Sequence, residues 1–292
     1  MKILITGGSG LLGQYLNRVL SLRHNILTIY NTNAGNCKEY NSIKLDICDK
    51  TSLTKIFDDF RADVVVHTAA YSKSILSEGY SSKDVYNINV NATKQIAELC
   101  DKFNAKLIYT STDLVYAGYR GSYLKEDAKL LPASLYAETK LMGEVKIRET
   151  FDNYIILRTA LLFGFGLNHS INHLQKIYSD LQKGKPVKLF IDQYRTPISL
   201  IEAARIICEL VSSDIKTEII NFGGLERVSR YELGELLCEI AKFDKNLLTK
   251  ITMDDVTEVA KVEDVSMSTD KLESFGFKQK SLDEMILEIL EQ

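Results

Sequence analysis

The sequence predicts an α/β fold: a doubly wound parallel sheet with helices on both faces, followed by a smaller C-terminal substrate-binding region. Two observations carry this. Short apolar runs without polar alternation, beginning with Ile3-Leu4-Ile5 and recurring at 25–30, 63–67 and 105–110, suit strands buried on both faces. Between them lie segments of helical spacing, the first marked by Leu11, Leu12, Tyr15, Leu16, Val19 and Leu20.

The first strand passes into the first helix through Gly7-Gly8-Ser9-Gly10-Leu11-Leu12-Gly13. Gly8, Gly10 and Gly13 satisfy a Gly-x-Gly-x-x-Gly spacing, while Gly7, Gly10 and Gly13 satisfy Gly-x-x-Gly-x-x-Gly. An ordinary tight turn would also use glycine, but a place after a strand and at the head of a helix is the context of a dinucleotide-binding, Rossmann-type fold. The missing side chains allow close approach there, and the free N–H groups of the helix start favour an anion such as a pyrophosphate.

Composition narrows the function class. A net charge of −3 from 36 basic and 39 acidic residues leaves no polybasic footprint for nucleic acid. No run approaches the ~20 apolar residues that cross a bilayer. The chain enters a structural strand at Ile3 without a signal-peptide layout, so a cytoplasmic protein without a membrane partner is expected. The five cysteines are scattered and never in Cys-x-x-Cys spacing, which predicts reduced thiols and neither disulfides nor zinc. His169 and His173 stand four apart but lack the glutamate of a zinc-protease helix, so no metal is expected.

The second strand, 25–30, is followed by Asn31-Thr32-Asn33, not by the acidic residue that binds the ribose hydroxyls of NAD and repels the 2′-phosphate of NADP. No arginine stands there to hold that phosphate; NADPH and NADH both stay open, with NADPH favoured. An amphipathic helix follows over 51–60, then a strand over 63–67 ending in Thr68-Ala69-Ala70. The carboxyl edge of a parallel sheet faces the ligand, so Ala69 and Ala70 either leave room for the cofactor or simply pack. A crossover helix is expected over 87–103, with Ile88, Ala92, Ile96 and Leu99 on one face, and a fourth strand over 105–110.

At the end of that strand Ser111-Thr112-Asp113 leaves the sheet, and a helix starting near Ser134 carries Tyr136 and Lys140 on one face. A phenol with a pKa of ~10 exchanges protons poorly near neutrality, and a neighbouring ammonium lowers it by favouring phenolate. Lys140 is therefore expected to tune Tyr136 as proton donor and to hold the cofactor ribose, while the Thr112 hydroxyl holds the substrate oxygen.

With the glycine turn, Thr112 and Tyr136-x-x-x-Lys140 in order, the chain resembles the extended short-chain dehydrogenase/reductase family over nearly its whole length, and within it the dTDP-4-dehydrorhamnose reductase-like branch. Ser111-Thr112-Asp113-Leu114-Val115, Tyr136 to Glu144, Arg158-Thr159 and Asp192-Gln193-Tyr194-Arg195-Thr196-Pro197 are similar to patterns of that branch. The resemblance implies Leu11 and Leu12 beside the pyrophosphate, Asp46 and Ile47 flanking the adenine, Thr110 in the cofactor site, and Asp113, Asn168 and Arg195 against the substrate. The departures concern the sugar. Leu114 and Leu161 stand where the branch has Tyr and Trp, the segment 71–78 lacks a Val-Asp-Lys, and Ala260-Lys261-Val262 replaces Ala-Arg-Pro.

The resemblance implies a reductase that passes a hydride from NAD(P)H to a 4-keto-6-deoxy sugar carried on a nucleotide, with Tyr136 protonating the developing alkoxide. An epimerase of the same family uses the same residues and stays open. A dehydratase would carry glutamate where Leu114 stands. A catalytically silent NADP-binding regulatory subunit, as in methionine adenosyltransferase, has no chemical need of Thr112, Tyr136 and Lys140. Residues 1–164 are expected to bind the dinucleotide and 165–292 the substrate, with 191–222 packing back onto the first part and a homodimer allowed for. In the second part helices are expected over 169–183, 199–211 and 229–243 and after Ser281, with strands over 187–191 and 218–222. Ile201, Ala204, Ile207, Cys208 and Val211 should face inward. Ser229 with Glu232, and Ser281 with Glu284, carry the capping-box signature.

Overall fold

The computed structural model describes residues 1–72, 80–119, 121–256 and 261–292. Residues 73–78, where the resemblance looks for Val-Asp-Lys, and Ala260 lie outside them. The expected runs become β1 (Lys2–Thr6), β2 (Asn25–Tyr30), β4 (Val64–His67), β5 (Lys106–Thr110) and β7 (Glu218–Phe222), and two strands the sequence reading did not single out join them, β3 (Ser42–Lys44) and β6 (Tyr154–Thr159). They pair in parallel as one seven-stranded sheet in the order β7-β6-β5-β4-β1-β2-β3. From β1 the chain builds outward to β2 and β3, then returns to β4 and builds the other way, so a crevice opens at the carboxyl ends of β1 and β4.

Strand alternation divides the core. Ile3, Ile5, Val64, Val66, Ile108, Ile155 and Leu157 face one side, packed under α1 (Leu11–Leu20) and, later in the chain, Leu200–Val211. Leu4, Leu27, Ile29, Val65, Leu107, Tyr109 and Ile156 face the other, under α2 (Lys50–Phe60) and Ala92–Phe103. Each fully buried aliphatic side chain contributes ~1.5–3 kcal/mol, which is why these strands carry no polar alternation.

The expected crossover helix is three pieces. α3 (Ser82–Tyr86) starts earlier, from a Ser81–Asp84 capping box, a π turn spans Asn87–Asn91, and α4 (Ala92–Phe103) completes it. The π turn carries Asn89, whose buried side chain donates to Thr139 Oγ1 at 2.9 Å and to the Tyr71 carbonyl at 3.1 Å. α5 (Leu135–Thr150) is N-capped by Ser134.

The helix expected over 169–183 begins only at His173, as α6 (His173–Gln182), capped by Asn172. Asn168 sits at φ +56°, and a Cβ on Gly166 would lie 1.5 Å from the Ser170 carbonyl oxygen, so 166–170 is a tight loop. His169 and His173 therefore share no helix face, and no metal-holding cluster occurs among the described residues.

α7 (Leu200–Val211) buries Leu200, Ala203, Ala204, Ile206, Ile207, Leu210 and Val211, whereas Ile201 and Cys208, expected inward, lie at the margin. β7 joins the central sheet beside β6, and Val187–Phe190 pairs with Leu248–Ile251 apart from it. Both capping boxes form, at α8 (Arg230–Ala241) and at Leu282–Leu290. No helix among the described residues is long and apolar enough to cross a membrane.

Candidate active site

The turn from β1 to α1 is packed so closely that most of its glycines are required by the fold. Gly7 sits at φ +71° with its Cβ position 2.6 Å from the Ala69 backbone nitrogen, and a Cβ on Gly13 would lie 2.2 Å from the Gly7 carbonyl oxygen. Gly10 differs. A Cβ there would meet only the Gly7 carbonyl oxygen, at 3.2 Å, and otherwise project into open space. The first turn of α1 has no capping side chain and no acidic residue, which leaves the helix start suited to an anion.

Two cavities meet at this turn, one of ≈ 710 Å³ and one of ≈ 310 Å³, sharing Gly10, Thr68, Ala70 and His169. The smaller is lined by Gly7, Asn31, Thr32, Asn33, Asp46, Ile47 and Ala69. The larger is lined by Leu11, Leu12, Gly13, Thr110, Thr112, Asp113, Tyr136, Lys140 and Arg195. The residues expected to contact cofactor or substrate are thus brought together, with one correction. Asn168 lines neither cavity; its amide donates to Gln14 Oε1 at 2.8 Å, because the left-handed loop turns it toward α1 and away from the larger cavity.

The candidate reacting groups sit where β5 ends and α5 begins. Thr112 Oγ1 donates to Asp113 Oδ1 at 3.2 Å, and Arg195 Nε lies 3.4 Å from Asp113 Oδ2. Burial raises the Asp113 carboxyl, with Arg195 and Arg230 pulling it back. The expected lowering of Tyr136 is not found. Burial and then the Asp113 charge push its phenol up to about 12, and the Thr112 hydroxyl offsets this only in part. Lys140 is itself pushed down to about 7 by burial, against the pull of Glu144, and its Nζ lies 4.0 Å from the centre of the Tyr109 ring. Desolvation decides the direction, since Lys140 is not among the groups that pull the phenol back.

Behind these groups lies a buried frame. Arg158 Nη2 donates to Glu144 Oε2 at 2.9 Å, and both side chains are nearly inaccessible, at 2% and 1%. Ser111 Oγ donates to Glu144 Oε1 at 2.5 Å and Arg158 Nη1 to the Tyr116 hydroxyl at 2.9 Å. A Cβ on Gly143 would stand 2.5 Å from the Tyr109 hydroxyl. The Gly-Glu of the helix pattern and the Arg of Arg-Thr therefore fasten α5 to β6 and fix the height of Tyr136 and Lys140 above the sheet. His67, fully buried between Thr6 Oγ1 (2.6 Å) and Thr93 Oγ1 (2.9 Å), is pushed down to about 3 by burial and by Lys140, and stays neutral.

The model of the RmlD substrate binding domain family matches residues 1–292. The chain belongs to that family. It is 27% identical to a dTDP-4-dehydrorhamnose reductase of Aggregatibacter actinomycetemcomitans over 86% of this chain and 81% of that protein. It is 24% identical to methionine adenosyltransferase 2 subunit beta of Xenopus laevis over 96% of this chain and 84% of that one. In fold it is similar to a dTDP-4-dehydrorhamnose reductase structure from Bacillus anthracis in complex with NADP, with a TM-score of 0.85, 22% identity, and 99% and 98% of the two chains covered.

This member of the RmlD family departs from the resemblance at the wall of the larger cavity. Leu114 and Leu161 both line the larger cavity, so the two aromatic-to-leucine changes fall inside it. Arg230, at the start of α8, lines it too, and burial followed by repulsion from Arg195 pushes it down to about 10. Sequence reasoning missed Arg230, seeing only the Ser229 cap beside it, and missed Ser170 and Ile171, which the expected helix would have turned elsewhere.

Proposed function

We propose that this protein is an NAD(P)H-dependent reductase of a 4-keto-6-deoxy sugar carried on a nucleotide. The observation that carries this is the meeting of Thr112, Tyr136 and Lys140 on the wall of the larger cavity, beside the glycine turn. A phenol beside a hydroxyl and an amine can hold a carbonyl oxygen and pass it a proton, the role that a carbonyl reduction needs, with the negative charge developing on that oxygen drawing the proton from so weak an acid.

When bound, the dinucleotide supplies the hydride. Its adenosine would lie in the smaller cavity against Asp46 and Ile47, and its pyrophosphate at Gly10, Leu11 and Leu12, where the helix start favours an anion. The substrate carbonyl oxygen would be held by the Thr112 and Tyr136 hydroxyls. As negative charge develops there, Tyr136 passes its proton to that oxygen, and Lys140 opposes the charge left on the phenolate while donating to the ribose. Arg195 and Asp113 would position the sugar nucleotide. In this reading 1–164 holds the dinucleotide and 165–292 completes the substrate wall, and Asn31 to Asn33 leave both NADPH and NADH acceptable.

The test is turnover of dTDP-4-dehydrorhamnose and related 4-keto nucleotide sugars with either cofactor, followed by loss of nicotinamide absorbance. Tyr136→Phe should lower kcat by about 10³-fold with little change in cofactor affinity. Undiminished turnover in that variant overturns the assignment. Absence of turnover in the wild type, together with a co-purifying protein partner, would favour the role printed for the methionine adenosyltransferase relative.

A further inference from the structure

The loop that replaced the first turn of the expected helix lies across the glycine turn. Gln14, wholly buried on α1, fastens it: Nε2 donates to the Leu167 carbonyl at 2.9 Å and to Ser170 Oγ at 3.3 Å, while Oε1 accepts from Asn168 Nδ2 at 2.8 Å. Ser170 Oγ reaches the Ser9 carbonyl at 3.3 Å, and the neighbouring Tyr15 hydroxyl donates to the Phe165 carbonyl at 2.6 Å. The same Gln14 Oε1 accepts from the Asn36 backbone at 3.1 Å, which ties the loop to the segment after β2.

This arrangement places His169 where the two cavities meet, opposite Gly10. Its Cε1 is 3.4 Å from a Cβ built on Gly35, just beyond Asn31-Thr32-Asn33, so the imidazole stands between the glycine turn and the end of β2. Among the described residues lining the smaller cavity it is the one side chain that can carry positive charge. Phosphate oxygens of a dinucleotide lie along this route, those of the pyrophosphate at the helix start and that of a 2′-phosphate at the end of the second strand.

We infer that residues 165–170 form a strap across the dinucleotide site, with His169 as a phosphate contact and the Gln14–Asn168 pair as its latch. The inference rests on the proposed dinucleotide site and adds to it a residue from the distant half of the chain. His169 donates to phosphate oxygen from the side opposite the helix start, so the anion is gripped between backbone N–H groups and a side chain. Asn168 acts through the loop: without its amide the strap lifts more readily, and bound cofactor leaves sooner.

Binding of NADH and of NADPH to the purified protein, followed by nicotinamide fluorescence, tests this without turnover. His169→Ala should raise the Kd by about 10-fold, as expected for loss of one charge-assisted contact. An equal rise for both cofactors assigns the contact to the pyrophosphate; a rise confined to NADPH assigns it to the 2′-phosphate. Asn168→Gly keeps the left-handed backbone without strain and should speed cofactor dissociation about 5-fold in stopped flow, with a thermal midpoint within a few degrees of wild type. Wild-type affinity for both cofactors in His169→Ala, or a wild-type dissociation rate in Asn168→Gly, overturns the strap while leaving the dinucleotide site standing. Failure of wild type to bind either cofactor overturns both.

Discussion

The two ends of the crevice are built by opposite means. At one end, the proposed dinucleotide site, close-packed backbone and small side chains from Gly7 to Gly10 and from Thr68 to Ala70 face Ile29, Tyr30, Asp46 and Ile47, with spacing set by contacts such as Gly13 against Gly7. At the other, the proposed substrate site, the wall carries Thr112, Tyr136, Leu161, Arg195 and Arg230, delivered by five separate segments. The first can be read along the chain; the second exists only when the sheet has brought those segments together. The difference also separates tolerances. Extra atoms damage the first, whereas lost or altered charges damage the second.

The largest effect separates function from stability at the substrate end. Lys140→Met should reduce turnover by about 10²–10⁴-fold and yet stabilise the fold, because a buried ammonium is removed. The sign follows from linkage: Lys140 falls from 10.5 to about 7 on folding, so its burden is full below pH 7 and fades as pH rises toward 10.5. The melting temperature of the variant should exceed wild type by more at pH 6 than at pH 9. A variant that melts lower at pH 6 would show that Lys140 is a structural cation.

The frame beneath should respond oppositely. Glu144→Gln leaves Arg158 buried without its charge partner and should lose about 3–5 kcal/mol in denaturant unfolding, while Glu144→Gln combined with Arg158→Met should lose less than the single change. At the dinucleotide end Gly13→Ala puts a Cβ 2.2 Å from the Gly7 carbonyl oxygen and should remove about 1–3 kcal/mol. Gly10→Ala meets only one atom, at 3.2 Å, and replaces an N-cap glycine, so it should lose less stability than Gly13→Ala, no more than about 1 kcal/mol, and weaken cofactor binding. Equal destabilisation by the two alanines would erase the distinction drawn between those glycines.

The mildest expectation is a pH profile. In free protein the ammonium of Lys140 is lost near pH 7, so kcat/KM for the cofactor should be level below that pH and fall up to tenfold per unit above it. Tyr136, pushed up to about 12, should impose no limb between pH 6 and 9. A limb on the acidic side would mean that Tyr136 works from its phenolate.

Much of this was legible in the sequence because it is local. Short apolar runs without alternation suit strands covered on both faces, and the glycine spacing, the caps at Ser229 and Ser281, and the Tyr136–Lys140 pairing each follow from a few adjacent residues. Local rules also explain the failures. The 3.6-residue pattern around His169 was overruled by a left-handed Asn168 bonded to Gln14, 154 positions away. Spacing placed an ammonium near Tyr136 but could not weigh burial, which reversed the expected shift. What the sequence by itself determined is the order of the main strands and helices and the set of groups proposed to react, since both depend on neighbours along the chain. Tertiary structure alone decided the direction in which burial shifts those groups, the entry of Arg230 into the cavity wall, and the course of the loop 165–170 beside the glycine turn, because solvation and long-range hydrogen bonds depend on what surrounds a residue in space.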